Sequence, residues 1–258
     1  MTGSAKFAPE VGPFAAAIPR FSHGGPLHNP TELPSPLPGR PAEPDPRVRA
    51  SLLVQDRAVN LLAGVVDAPA QTVTLPPAAR DSFVMLVSGG IVITGKDGTE
   101  TSFQAGDSFV LPAGAWSRWS QPGPARYLFV AADSTGVAAA DPTTVVRIDP
   151  GVELAPSAPP PTELLLSEVP QTMGRAAFST TDQRFAAGIW SATPYHRKTI
   201  LFPRYEFMHL LEGEVSFTAP SGDTLRFVAG DSFMVPAGVE CDWKNDRFVR
   251  KIYCVFRF

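Results

Sequence analysis

Short apolar runs, cut by Gly, Pro and Asp, fill the chain from about residue 50 to its end, and no stretch keeps a 3.6-residue apolar period long enough for a sizeable helix. In the C-terminal half, Arg204 to Thr218 (RYEFMHLLEGEVSFT) breaks at Glu212-Gly213 into two runs rich in Val, Phe, Leu and Thr. Pro220 to Asp223 reads as a turn, Thr224 to Val228 as another strand, and Gly230-Asp231 as a tight turn into a strand over Ser232 to Val235. Short strands at this spacing predict an all-β fold, closed into a sandwich or barrel of the jelly-roll kind.

The pattern occurs twice. GDSFVLPAG, Gly106 to Gly114, returns 124 residues later as GDSFMVPAG, Gly230 to Gly238, with seven of nine residues identical. At the same offset Ala63 to Val130 aligns with Ala187 to Cys254 without a gap, and 20 of the 68 pairs are identical. The shared residues are mostly Gly, Pro, Asp and Phe, the turns and core of short strands, so the repeat is a whole small domain. Gly106-Asp107 and Gly230-Asp231 read as fold residues, glycine supplying the turn and aspartate capping the backbone that follows.

The 258 residues accommodate two such domains. Residues 1–50 form a proline-rich arm without apolar periodicity, extended over the domains or partly disordered. Residues 51–149 are the first domain, 150–170 a linker carrying PSAPPP, and 171–258 the second domain. The net charge of −3, with Lys and Arg scattered, gives no basic patch for nucleic acid. No apolar run reaches the ~20 residues of a membrane span and no signal peptide opens the chain, so the expectation is a cytoplasmic protein. Cys241 and Cys254 are the two cysteines. They offer no disulfide framework and read as reduced, buried thiols on neighbouring strands.

Gly230-x5-Pro236-x-Gly238, preceded by Glu206-x6-Gly213, resembles the paired motifs of the cupin superfamily, and Gly106-x5-Pro112-x-Gly114 repeats the second motif, as in a bicupin. Within the second repeat, Tyr205-Glu206, Leu211 to Val215, Phe227-x-Ala-Gly-Asp231, Trp243 and Lys251-x-Tyr253 are similar to the cupin group that includes ureidoglycine aminohydrolase and the ethanolamine-utilisation cupins. The resemblance implies two tandem jelly-roll barrels with the ligand site inside.

It also implies where a metal would bind, and there the sequence departs from the pattern. The His-x-His positions fall within Thr199 to Phe202 (TILF), the last histidine position is Cys241 in the second repeat and Ser117 in the first, and the glutamate is Ser82 in the first repeat. No cofactor and no metal are therefore expected. A zinc site made of Glu206, Cys241 and His196 is a minor alternative. His209, three residues past Glu206, points to the opposite face of a regular strand, while His23 and His28 lie in the arm. The first barrel reads as a scaffold crowded by Trp116 and Trp119, with Ser117 and Gln121 at the places of Cys241 and Asn245 and Pro76, Pro77, Ala78 and Ala79 around it.

In the second barrel Glu206 and Cys241 are the catalytic candidates, and Trp243, Thr199, Tyr195, His196 and Arg197 the ligand-binding ones. Tyr195 to Lys198 is read as a loop overhanging the mouth. A carboxylate beside a tryptophan in an apolar barrel has its neutral form favoured, which suits proton transfer. Glu206 as a structural acceptor for Arg or backbone amides, and Trp243 as core, are the competing readings. Three function classes stay open: a metal-independent enzyme acting on a small polar metabolite (ureide, amine or carboxylate), a non-catalytic binding or sensing bicupin, and a Cys/Glu/His metal enzyme. Partners are then a small ligand and, through barrel faces or an exchanged arm, a second copy in a homodimer.

Overall fold

A computed structural model of the chain describes residues 13–27, 45–75, 80–115, 117–133 and 145–258. A helix at Pro13–Ala17 comes first, and a 3-10 turn at Thr162–Leu164 interrupts the linker. The first repeat supplies β1 (Arg49–Asp56), β2 (Leu61–Ala68), β3 (Gln71–Leu75), β4 (Asp81–Ser88), β5 (Gly90–Gly95), β6 (Glu100–Gln104), β7 (Ser108–Leu111), β8 (Ser117–Gln121) and β9 (Ala125–Ala132). After it come β10 (Val146–Ile148) and β11 (Ala155–Pro156). The second repeat supplies β12 (Thr172–Ser179), β13 (Phe185–Ala192), β14 (Tyr195–Leu201), β15 (Tyr205–Glu212), β16 (Glu214–Thr218), β17 (Thr224–Val228), β18 (Ser232–Val235), β19 (Glu240–Asn245) and β20 (Val249–Phe256).

Each repeat builds a six-stranded and a four-stranded antiparallel sheet. The orders are β1-β2-β9-β4-β7-β10 with β3-β8-β5-β6, and β11-β12-β13-β20-β15-β18 with β14-β19-β16-β17. Gly89 and Gly213, at matched positions, show why glycine recurs: φ is near +80° at both and a Cβ would collide with backbone carbonyl oxygen, of Pro124 and Phe248 respectively. The shared aspartates cap backward rather than forward. Asp107 accepts from the Gln104 amide and Asp231 from the Val228 amide, both at 2.8 Å and both three residues earlier, closing the turn between strands.

The outer faces of the two six-stranded sheets pack on each other. Phe83, Met85, Leu128 and Val130 meet Phe207, Ile252, Cys254 and Phe256 in one buried cluster. Phe83 and Phe207 occupy the same position in their repeats and their rings touch, with centroids 5.1 Å apart, so a pseudo-twofold axis passes between them. Tyr205 adds a polar tie across this seam by donating to Asp56 at 2.5 Å. Cys254 is buried here while Cys241 sits inside the second barrel on β19, so the cysteines occupy different sheets and not neighbouring strands.

Segments outside the nine-strand repeats close one edge of each six-stranded sheet. β10, which follows the first barrel, pairs with β7 of that barrel, whereas the arm pairs with β18 of the second through an Arg20–Phe233 bridge. Arg147 and Arg20 make equivalent contacts. Arg147 binds Asp107 at 3.0 Å and covers the Phe103 ring at 4.3 Å; Arg20 binds Asp231 at 2.6 Å and covers Phe227 at 4.0 Å. The arm also caps the second barrel with Phe14 and Ile18 and enters the seam with Phe21. These arm contacts were not visible in its composition. His28, Pro76, Pro77, Ala78, Ala79 and Trp116 lie outside the described residues.

Two predictions follow from the arm's docking. Ile18 is 1% exposed, so Ile18→Ala should lower stability by about 2–5 kcal/mol in urea unfolding; a change below about 1 kcal/mol would mean the arm is not docked. At the seam, Ser232 lies between His23 (2.8 Å) and His209 (2.9 Å), whose rings stack at 5.7 Å, with Asp231 and Arg20 beside them. Burial and then His23 lower the His209 pKa to about 4. Because this folded value lies below the unfolded one of 6.5, the stabilisation is present above pH 6.5 and declines as pH falls toward 4. His209→Gln should remove that part of the acid slope, as followed by melting temperature against pH.

Candidate functional site

Period-2 alternation on the inward faces of the second barrel builds the site. β15 turns Glu206 and Met208 inward, β20 turns Lys251 and Tyr253 inward, β13 contributes Trp190 and β19 Trp243. Together with Tyr195, Arg197 and Arg204 they line a cavity of about 670 Å³. Ser157 to Pro161 of the linker form another part of its wall, fixed where β11 pairs with β12. The first barrel is filled instead: Phe103, Phe109, Trp119, Tyr127 and Phe129 occupy its interior, and Ser82 and Ser117 stand where the second repeat has Glu206 and Cys241.

Glu206 is 3% exposed and carries two cations. Arg204 reaches Oε2 through Nη2 at 2.7 Å and Nε at 2.9 Å, and Lys251 Nζ donates to Oε1 at 2.8 Å. Lys251 runs along the barrel wall past Met208, whose sulfur lies 3.2 Å from Nζ, and its ammonium sits over the rings of Trp190 (4.7 Å) and Trp243 (4.8 Å). Burial alone would raise the Glu206 pKa, but Arg204 and then Lys251 outweigh it and hold the carboxyl at about 2. The expectation of a neutral-leaning carboxyl is thus reversed, and the competing reading of Glu206 as an acceptor for Arg is the one the geometry bears out, with Lys251 as a second, unforeseen donor. Burial lowers the Lys251 pKa, with Glu206 opposing.

The other predicted residues separate into two groups. Tyr195, Arg197 and Trp243 line the cavity. Trp243 is at the same time core, packed on Tyr195 (5.8 Å) and Phe217 (5.4 Å), with its N–H donated to Asn245 at 2.9 Å as Trp119 donates to Gln121. Thr199 and His196 do not reach the cavity. Tyr195 to Lys198 is part of β14 rather than a loop, so His196 faces outward, where its Nε2 lies 3.1 Å from Asp242. Thr199 is displaced by a β-bulge: Arg197 pairs with Trp243 and Ile200 with Cys241, so Lys198 and Thr199 stand against Asp242 alone, whereas β3 and β8 run in regular register from Gln71 to Leu75. Ile200 therefore takes the inward place that the gapless repeat alignment gave to Thr199. Cys241 is fully buried but is not part of the cavity wall, and burial pushes its thiol up to about 11.

Sequence reasoning missed Lys251, Arg204, Arg175, Arg257 and Trp190. For Lys251 a signal existed: it precedes Tyr253 by two in a strand whose alternate residues are apolar, which aims a lysine inward.

A metal does not fit this arrangement. Both oxygens of Glu206 are engaged by cations, neither His196 nor Cys241 faces the cavity, and among the described residues no three His, Cys, Asp or Glu side chains gather into a candidate metal cluster. What the cavity does hold is a surplus of positive charge. Arg175, Arg197, Arg204, Lys251 and Arg257 line it against Glu206 as the one carboxylate of the wall. Arg197 is the telling member, since its Nε and Nη2 are buried without a hydrogen-bond partner among the described residues and burial lowers its pKa.

The family model of the EutQ-like cupin domain matches residues 76–122 and 179–253. A crystal structure of a protein of unknown function from Pseudomonas syringae pv. tomato, 24% identical, is similar over 86% of this chain and 94% of that one with a TM-score of 0.73. A cupin 2 conserved barrel domain protein from Leptotrichia buccalis, 10% identical, is similar over 86% and 92% with a TM-score of 0.57. The Escherichia coli protein Ylba, 11% identical, is similar over 84% and 87% with a TM-score of 0.52. At these identities the likeness is one of fold. No curated protein matches the chain.

The buried pair predicts a pH and mutational signature. Glu206→Gln leaves Lys251 and Arg204 without their anion and should destabilise by about 3–5 kcal/mol in denaturant unfolding, with part recovered by adding Lys251→Met. Since the folded Glu206 pKa is depressed from 4.5 to about 2, its contribution is present above pH 4.5 and is lost between there and pH 2. A Gln variant as stable as the parent at neutral pH would show that the pair contributes nothing.

Proposed function

Because this chain is a cupin protein built of two barrels, we propose that its second barrel binds a small organic anion and that Arg197 receives the ligand's carboxylate. The observation that carries this reading is the Arg197 fork, buried with two of its nitrogens unpartnered among the described residues. A buried guanidinium with unmet donors is costly, and a carboxylate is the group whose two oxygens match its geometry. The wall's five cations and one carboxylate support the same choice among the classes the sequence left open. An amine is repelled by them, and a neutral ureide leaves the surplus charge unbalanced. A ureide of the kind suggested by the resemblance to ureidoglycine aminohydrolase fits where it also bears a carboxylate.

Binding without catalysis is the reading we favour. Glu206, doubly paired and ionised down to about pH 2, fixes Arg204 and Lys251 instead of carrying a proton, and the Cys241 thiol stays protonated away from the cavity wall.

Matched acid and amide pairs, such as benzoate with benzamide, test the reading by thermal shift and calorimetry. The acids should stabilise the protein and the amides should not. Arg197→Gln should weaken acid binding by about 10–100-fold, the scale of a lost charged hydrogen bond, while Arg197→Lys retains the charge and falls between. Equal binding of acid and amide, or an Arg197→Gln variant that binds the acids as the parent does, would contradict it.

A further inference from the structure

The size and lining of the cavity carry the reading further. At about 670 Å³ it has room for about twenty waters at ~30 Å³ each. An acid of four to seven heavy atoms would fill only a fraction of that space. Away from the cations the wall is apolar, made by Trp190, Ile200, Phe202, Met208, Pro160 and Leu164. A second unmet group lies in the same wall. Ser157 is pinned at its backbone, its N–H donating to Thr172 O at 3.0 Å and its carbonyl accepting from Thr172 Oγ1 at 2.7 Å, yet its own hydroxyl is buried without a partner among the described residues. Buried polar atoms are ordinarily satisfied. Here a linker serine and a strand arginine line one cavity, and the serine hydroxyl and two guanidinium nitrogens, buried in its wall, have no partner among the described residues.

We propose that the ligand is an amphipathic carboxylate of roughly ten to twenty non-hydrogen atoms, its carboxylate on Arg197, a flat apolar body along the Phe202, Ile200 and Trp190 wall, and a hydroxyl or carbonyl hydrogen-bonded to Ser157. This rests on the anion reading above and adds the body and the second polar group. The linker then does more than join two barrels, because it supplies one end of the recognition.

Calorimetry on the full chain at neutral pH with acetate, malonate, cinnamate, 4-hydroxycinnamate and the uncharged cinnamyl alcohol tests it. Cinnamate should bind at least 100-fold more tightly than acetate or malonate, and 4-hydroxycinnamate a further three- to tenfold more tightly. Ser157→Ala should erase that last advantage and leave cinnamate unchanged. Acetate or malonate binding as tightly as cinnamate would overturn the amphipathic ligand while leaving the anion site standing. An unaltered hydroxycinnamate preference in Ser157→Ala would overturn the role of Ser157. If cinnamyl alcohol matches cinnamate, or no acid binds, the anion reading itself fails and this inference with it.

Discussion

The central strands of each six-stranded sheet are buried on both faces, and the rest of the structure depends on that constraint. On β15, Tyr205 and Phe207 face the other domain while Glu206, Met208 and Leu210 face the barrel; on β20, Ile252, Cys254 and Phe256 face outward and Lys251 faces in. A register slip of one residue would exchange these sets and place charge in the interdomain core. A charge turned inward from the middle of these strands has no water to face and must be matched inside the barrel. The second repeat does so with Arg204, Glu206 and Lys251. At the same alignment positions the first repeat has Arg80, Ser82 and Tyr127, with Arg80 turned to Asp133 at 2.8 Å and the interior closed by aromatic rings.

The difference between the barrels is thus one of charge before it is one of shape. Val66 and Val73 correspond to Trp190 and Arg197, so the two copies share the strand framework while the second carries the larger and charged side chains at these inward positions. Once Glu206 is shared by two cations, further cations on the wall are unmatched by protein. On the proposal made here, an anion arriving from outside would balance that charge; Trp190 and Trp243 meanwhile hold the Lys251 ammonium in place beside Glu206.

The β architecture was legible because turn residues recur at a fixed offset and because strand length shows in Gly and Pro spacing. The strands from Tyr205 to Val235 agree with the sequence reading to within a residue or two. Glu206 was legible by alternation, as was the outward turn of His209. Thr199 was misplaced since a β-bulge inserts one residue without leaving a gap in the repeat alignment, the loop before β15 absorbing the difference. Arg204 was passed over as a strand-end arginine, and Lys251 was quoted among family-like residues without being placed inside. The arm's partner could not be read at all, because its pairing with β18 joins residues some 200 positions apart and only the matched contacts of Arg20 and Arg147 reveal it as the counterpart of β10.

The central claim is that the unmatched charge of the second barrel exists to hold a carboxylate. A crystal of the full chain soaked in 4-bromobenzoate, read by the anomalous signal of bromine, tests it most directly. The account predicts one strong bromine peak inside the second barrel, with the carboxylate oxygens within hydrogen-bond distance of Arg197 Nε and Nη2 and the first barrel empty of ligand. A peak in the first barrel, or a molecule in the second whose carboxylate turns away from Arg197, would contradict it.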